Sequence, residues 1–276
     1  MKKYAAHTTY WLLLPLILLL LFFFVFPLLM VFLGSFYVEG EGFTLRYYAE
    51  TLFESVNVNA LKNSFVLALT TTLLGVISGG ILSYLIFRLG ERGKNVLLSL
   101  VSVPLSFSGL VIAYAFIITF GSSGTFTLLL AKVLQQDPAN LSAYLYTWKG
   151  LVLAYLYFLI PRMILTMMAA WTNLDWSLIE AAESLGAGWG RILSKVIIPA
   201  IGPSLLAGSA LLFAVAMGAF GTAFALVGTG VNILPLLIYT QVSDVSYNLS
   251  LANALSVMLT VVTTLLIYGY QRMFVR

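Results

Sequence analysis

The sequence contains no cysteine, and its single histidine, His7, lies near the N-terminus. Without cysteine there can be no disulfide and no thiol chemistry, and one histidine cannot build a histidine-based metal cluster. Charged residues are also scarce, at 9% of 276 residues. These absences exclude redox-active thiols and histidine metal centres as the basis of the protein's function.

Apolar residues are correspondingly abundant. Hydrophobic residues make up 61% of the chain, and the mean hydropathy is +1.01. A soluble domain of this length cannot bury so much apolar surface, so the bilayer must be the solvent. The net charge of +4 does not indicate nucleic-acid binding, because the basic residues are spread between apolar runs, where they orient a protein in the membrane.

Charge-poor apolar runs predict an all-α membrane protein with six transmembrane helices in a single domain, 1–276. Helices are favoured over a closed barrel because the runs lack the alternation of barrel strands. The alternative for the first run is a signal peptide, but the run is too long for a signal's apolar core and no cleavage site follows it. The predicted spans are residues 11–33, 63–87, 96–120, 151–171, 204–227 and 251–270.

The lysines and arginines favour a topology with both termini in the cytoplasm. In that orientation nine basic residues lie inside, namely Lys2, Lys3, Arg88, Arg92, Lys94, Arg191, Lys195, Arg272 and Arg276. Four lie outside, namely Arg46, Lys62, Lys132 and Lys149, and Arg162 falls within a span. The outer loops, 34–61, 121–150 and 228–250, are long enough to hold short interfacial helices.

The cytoplasmic loop 172–203 is the most polar part of the chain's second half. Asp175 or Ser177 can cap a helix at its start, and Gly186 stands where a C′ glycine ends one. A second helix is expected to resume at Arg191. The sequence therefore predicts two short helices joined by a glycine turn, which either dock on a partner or simply connect two spans.

The segment Glu180-Ala181-Ala182-Glu183-Ser184-Leu185-Gly186, followed by Ile197-Ile198-Pro199, resembles the EAA loop of type I ABC importer permeases. The resemblance departs from the family pattern at Ile198, where leucine is usual. It implies a permease fold in a bacterial cytoplasmic (inner) membrane, with the loop docked on a dimeric ABC ATPase that binds ATP and Mg²⁺. Further implied partners are a second permease subunit, the same or a different chain, and an extracytoplasmic solute-binding protein.

In this family the permease itself does no chemistry, and the chain has no G-x-x-x-x-G-K-[ST] phosphate loop. No cofactor is therefore expected in this chain, and no nucleic acid among its partners. The resemblance implies that Glu180, Ala181, Ala182 and Gly186 form the ATPase contact, with Leu185 seating the helix. The stretches 26–36 and 218–228 resemble the branch that carries polyamines, iron, phosphonates and other small solutes.

Two observations bear on the solute. Arg162, in the middle of the fourth span, either attracts an anionic group in the pathway or is structural, bonding backbone carbonyls freed by Pro161. No aspartate or glutamate occurs between Val196 and Ser243, where polyamine permeases often carry an acidic residue near the position of Ala219. A zwitterion or anion is thus favoured over a polyamine. The alternative function is an ion-coupled secondary transporter, which would need an intramembrane acidic relay that the spans lack.

Overall fold

The computed structural model describes residues 13–38, 40, 42–243 and 247–274. The predicted cytoplasmic residues Lys2, Lys3 and Arg276, together with His7 and the first two residues of the span 11–33, lie outside this part. Within it, six helices are long and apolar enough to cross a membrane, and a bent helix pair would make a seventh if it forms one span. The all-α, six-helix class predicted from the sequence is confirmed.

The elements are numbered here in chain order. The helices are α1 (Leu13–Gly34), α2 (Arg46–Phe53), α3 (Ser55–Phe87), α4 (Glu91–Ser102), α5 (Gly109–Phe120), α6 (Thr125–Leu134), α7 (Pro138–Ser142), α8 (Trp148–Thr172), α9 (Trp176–Ser184), α10 (Trp189–Gly218), α11 (Gly221–Val227), α12 (Leu234–Val242) and α13 (Leu249–Phe274). Two short strands, β1 (Tyr37–Val38) and β2 (Gly42–Phe43), pair antiparallel with Tyr37 opposite Phe43. Turns of π-helix occur within α1 and α10.

The predicted stretch 96–120 is not one helix. α4 ends at Ser102, a 3₁₀ turn follows at Val103–Ser106, and α5 begins only at Gly109. Pro104 lies in that turn and supplies no N–H for a continuing helical ladder. Ser108 then caps α5 by accepting a hydrogen bond from the Val111 N–H. The run that has the length and apolarity of a span is Gly109–Leu134.

The predicted stretch 204–227 is likewise interrupted. α10 begins at Trp189, two residues before the expected start at Arg191, and ends at Gly218. Ala219 is extended, with φ −73° and ψ 98°, and α11 starts at Gly221. The buried Tyr155 hydroxyl donates a 2.6 Å hydrogen bond to the Ala219 carbonyl, so the break in the backbone is stabilised by a side chain of α8.

The chain divides into two compact units, Met1–Val58 with Leu237–Val261, and Asn59–Leu236 with Val262–Arg276. In the second unit α3, α8 and α10 approach closely around Met163. A Cβ on Gly79 would lie 2.6 Å from the Met163 Cβ, and one on Gly208 would lie 2.7 Å from its sulfur. Small residues that admit a large neighbour are typical of packed membrane helices. Gly79 and Gly208 therefore allow α3 and α10 to approach α8 closely at Met163.

In the first unit, α1 is apolar on all sides and none of its most apolar window is buried within the chain. Its C-terminal end meets α13, where a Cβ on Gly34 would lie 2.5 Å from the Asn253 side chain. The Ser250 hydroxyl also donates a 2.6 Å hydrogen bond to the Tyr37 carbonyl. These contacts hold the hairpin and the end of α1 against the start of α13.

Candidate functional site

The loop 172–203 contains α9, which begins with a well-defined cap. The Asp175 carboxylate accepts hydrogen bonds from the Ser177 N–H at 3.0 Å and from the Ser177 hydroxyl at 2.7 Å. Of the two predicted capping residues, Asp175 is therefore the cap. Ser177 lies in the first turn and orients the capping carboxylate. The carboxylate satisfies an N–H that a helix start would otherwise leave free.

The end of α9 is fixed by Gly186. Its φ of +75° is in the left-handed region that glycine adopts without strain. The Gly186 N–H donates to the Glu183 carbonyl at 2.9 Å, and the Ala187 N–H donates to the Ala182 carbonyl at 3.0 Å. This pair of bonds is a Schellman motif, which ends a helix sharply. The prediction of a C′ glycine at this position is confirmed.

The two faces of α9 differ in exposure. Ile179 is buried, and α9 packs on the first turns of α10, where Ile192 and Ile197 are also buried. Leu178 and Leu185 point outward with Ala181, and Leu185 is 88% exposed. Ile179 is therefore the residue of α9 that enters the core, and Ala182, one turn further on, is half-buried. An exposed leucine stripe remains on the outer face.

Four of the five predicted contact residues of α9 are open to solvent in this chain. Glu180, Ala181, Leu185 and Gly186 are exposed, and Ala182 is half-buried. The exposed Trp189 begins α10, beyond the glycine turn. The structure thus brings the predicted residues together on one short helix and its C-terminal turn.

Aromatic contacts connect this helix to the membrane-embedded part of the second unit. The Trp176 ring stacks on Phe87 at the end of α3, with a centroid distance of 5.5 Å and an interplanar angle of 4°. Nearby, the Trp171 indole N–H donates a buried 2.9 Å hydrogen bond to the Ser83 hydroxyl, also on α3. Lys94 of α4 lies over the Phe87 ring at 5.4 Å. These contacts attach α9 to the cytoplasmic end of α3.

Arg162 lies in the middle of α8 and is half-buried. Its Nη1 donates a 2.7 Å hydrogen bond to the Phe158 carbonyl, and its guanidinium lies 5.4 Å from the Phe158 ring centre. The carbonyl that Pro161 leaves without a helical donor is that of Tyr157, four residues earlier. Arg162 therefore does not bond the carbonyl freed by the proline. In the described part of the chain no ion pair involves Arg162.

The position of Arg162 along α8 places it on an uncovered stripe. Leu165 and Ala169, three and seven residues further on, are exposed in the chain, as is Thr172. The inner half of this helix face is therefore open to lipid, to a pathway or to another subunit. By contrast, Tyr155 is fully buried and serves the break at Ala219, so it lines no open cavity.

An apolar cavity of about 250 Å³ lies between α3, α10 and α13. Its walls include Phe65, Leu69, Leu205, Phe213 and Leu266, and no charged side chain lines it. It is therefore unsuited to a polar solute.

Comparison with known proteins agrees with this architecture. Residues 71–276 match the family described as "Binding-protein-dependent transport system inner membrane component". A putative 2-aminoethylphosphonate transport system permease protein, PhnU, of Salmonella typhimurium is 28% identical over 233 residues, covering 84% of this chain and 80% of the relative. The spermidine/putrescine transport system permease protein PotB of Haemophilus influenzae is 29% identical over 222 residues, covering 80% and 76%.

Solved structures share the fold at low sequence identity. A chain of a bacterial ABC transporter involved in the import of the acidic polysaccharide alginate superposes with a TM-score of 0.79 at 16% identity, covering 99% of this chain and 96% of that one. A chain of the MetNI methionine ABC transporter superposes with a TM-score of 0.56 at 16% identity, covering 79% and 94%. The chain thus has the fold of importer permeases.

Proposed function

Because the chain belongs to the family of binding-protein-dependent transport system inner membrane components, and is a permease subunit, we propose that α9 is the helix through which a separate ATPase dimer drives it. ATP and Mg²⁺ are bound by that dimer and not by this chain. A solute-binding protein delivers a small polar solute from outside, and a second permease subunit, the same or a different chain, completes the pathway.

The observation that carries the coupling role is the exposed, rigid geometry of α9. The helix is capped at both ends, its inner face is fixed by Ile179, and its outer face presents Ala181 and Leu185 without a covering element. Small alanines permit close approach of a groove wall, and Leu185 offers apolar area to it. Glu180 adds charge selectivity and little affinity, since exposed ion pairs contribute about 0–1 kcal/mol.

Movement of the two ATPase subunits would then displace α9, which is in contact with the membrane-spanning helices. The stack of Trp176 on Phe87 attaches α9 to α3, and the buried bond from Trp171 joins α3 to α8, the helix that precedes α9 in the chain. Rocking between inward-open and outward-open states is a rigid-body switch of this type. The permease contributes positions and movement to this cycle, and no bond-making chemistry.

The test is ATP-dependent uptake by the chain reconstituted with its co-purifying subunits. We expect Gly186→Pro to abolish uptake and ATPase co-purification, because proline removes the Gly186 N–H bond to Glu183 and cannot adopt the φ of +75°. Glu180→Lys reverses the contact charge and should lower uptake, with a smaller effect on co-purification, since an exposed ion pair adds little affinity. Arg92→Glu, a charge reversal of equal size at an exposed position of α4, is the matched control and should retain both. Full uptake by both α9 variants would contradict the proposal, and proton- or sodium-driven uptake by the chain alone would favour a secondary transporter.

We further propose that the solute carries an anionic group. None of the ten acidic residues lies in the six candidate spans, whereas Arg162 occupies the middle of α8. A polycation would find no counter-charge within the six candidate spans of this subunit. Relatives include permeases named for 2-aminoethylphosphonate and for spermidine and putrescine, and the charge pattern favours the first of these solute types.

Calorimetry of the cognate solute-binding protein with 2-aminoethylphosphonate and spermidine tests the solute class directly. In uptake assays, Arg162→Met should raise the KM while Arg162→Lys retains much of the affinity, because the positive charge is kept. A normal KM for Arg162→Met together with lowered thermal stability would instead assign the arginine a structural role.

A further inference from the structure

The outer segment between α1 and α3 contains a helix, α2, that exposes its apolar side chains and turns its polar ones toward the protein. In α2 and at its start, Leu45, Leu52 and Phe53 are 66%, 53% and 85% exposed, and Ala49 between them is exposed as well. Their spacing of four, three and one residues places them on one helical stripe. The apolar stripe therefore points away from the protein.

The opposite face of α2 points inward and is polar. The Tyr48 and Ser35 hydroxyl groups lie 2.6 Å apart in a hydrogen bond. Thr51 is 2% exposed, and its hydroxyl donates to the Tyr47 carbonyl at 2.7 Å. The Asn57 amide donates to the Glu50 carbonyl at 3.2 Å. A helix that faced water would show these polar groups outside and its leucines inside, so the outer environment of α2 is apolar.

The position of α2 identifies that environment. The segment is tied at both ends to spanning helices, since α1 ends at Gly34 and α3 starts at Ser55. The rings of Phe36 and Tyr48 lie 5.1 Å apart, so α2 rests directly on the outer end of α1. A helix held against the end of a span lies at the level of the lipid headgroups.

The hairpin that precedes α2 also exposes aromatic side chains. Phe43 in β2 is 78% exposed, and it contacts Tyr37 of β1 edge-to-face at 6.1 Å. Within α2, Arg46 and Glu50 form a 2.8 Å ion pair at the side of the stripe, so these two residues together add no net charge, and the exposed Glu54 follows the stripe at its end. Aromatic and leucine side chains flanked by a neutral pair suit the boundary between headgroups and acyl chains.

We infer that α2 is an interfacial anchor whose stripe, Leu45, Ala49, Leu52 and Phe53, inserts into the outer leaflet of the bilayer. The partner is lipid, met at the boundary between headgroup and acyl chain. The anchor fixes the depth of the first span, which has few other contacts within the chain. This role depends on membrane insertion alone and is separate from ATPase coupling.

The absence of cysteine makes the test direct, because a single introduced cysteine can carry a nitroxide label. Labels are placed at Phe53→Cys and Ala49→Cys on the stripe, at Thr51→Cys on the inner face, and at Asn140→Cys, an exposed position of the short helix α7. The full chain with its co-purifying subunits is reconstituted into phosphatidylcholine–phosphatidylglycerol nanodiscs. Collision rates with oxygen, which partitions into lipid, and with nickel–EDDA, which stays in water, are measured with and without the solute-binding protein.

Lipid insertion predicts high oxygen and low nickel–EDDA collision rates at positions 49 and 53, with an oxygen-to-nickel ratio several-fold above that at position 140. Position 51 should be low in both, which also reports that α2 is folded. A nickel–EDDA rate at position 53 equal to that at position 140 would overturn the inference. Low collision rates for both reagents at position 53 would also overturn the inference, because they would show that protein covers the label. The covering protein is the binding protein if the rates fall only when it is added, and a second permease subunit if they are low without it.

Discussion

The break between α10 and α11 makes a quantitative prediction for Tyr155→Phe. The Tyr155 ring is fully buried, and its hydroxyl donates a 2.6 Å hydrogen bond to the Ala219 carbonyl. Ala219 is an extended residue between two helices, so its carbonyl depends on this donor. The phenylalanine variant keeps the ring and removes only the donor, which leaves the carbonyl exposed to an apolar interior.

Two reference magnitudes bracket the loss of unfolding free energy that Tyr155→Phe should cause. Interhelical side-chain hydrogen bonds in membrane proteins average about 0.6 kcal/mol and reach about 1.7 kcal/mol, because the partners usually find substitutes. A buried acceptor left without any partner costs about 1–3 kcal/mol. Since the break removes the usual helical donor, we expect about 1.5–3 kcal/mol for Tyr155→Phe. That is roughly a 10- to 150-fold change in the unfolding equilibrium constant.

The assay is the free energy of unfolding from an SDS titration of the purified protein in bicelles. Tyr157→Phe is the matched control, because Tyr157 lies two residues further on the same helix but is 42% exposed. Its cost should stay within about 0.5 kcal/mol. If Tyr155→Phe costs less than this, or if the two variants cost the same, the assignment of Tyr155 as the stabiliser of the break is refuted.

Three further predictions concern packing and helix ends. Gly79→Ala should cost about 1–3 kcal/mol in the same titration because its Cβ meets Met163, whereas Gly80→Ala, whose Cβ meets nothing within 4 Å, should be neutral; equal effects would contradict the packing. Asp175→Ala should destabilise α9 by about 1 kcal/mol, seen as faster amide hydrogen exchange in that helix, and unchanged exchange would count against the cap. Trp171→Phe removes the buried indole donor to α3 and should cost about 0.6–1.7 kcal/mol, so an unchanged free energy of unfolding would argue against that bond.

The sequence sufficed to predict the number and kind of spans because hydrocarbon imposes a strong and simple requirement. A helix needs about 20 apolar residues to cross, and apolar runs of that length are visible without a structure. Hydropathy averaged over such a window does not register a two-residue interruption. The break at Ala219 was therefore missed, since the tyrosine that stabilises it lies 64 residues earlier. Pro104 and Ser108 were the available signals for the interruption before α5.

In the candidate site, too, some features have a local cause in the sequence, and others depend on residues far away along the chain. Asp175 and Gly186 could be assigned from the sequence because a cap acts within a few residues of itself. The direction of Ile179 could not be assigned, since it depends on the first turns of α10. The stack of Trp176 on Phe87, which attaches the helix to a span, joins residues from separate parts of the chain and has no local signal.

The exposure of α1 affects how the protein is inserted into the membrane and what an unfolding measurement reports. No residue of its most apolar window is buried against the rest of the chain. The first span can therefore enter the bilayer as soon as it leaves the ribosome, without waiting for later helices to be synthesised. For the same reason it would stay inserted when the other helices separate. An unfolding curve of this protein then reports on α3 to α13 and is silent about the helix that was inserted first.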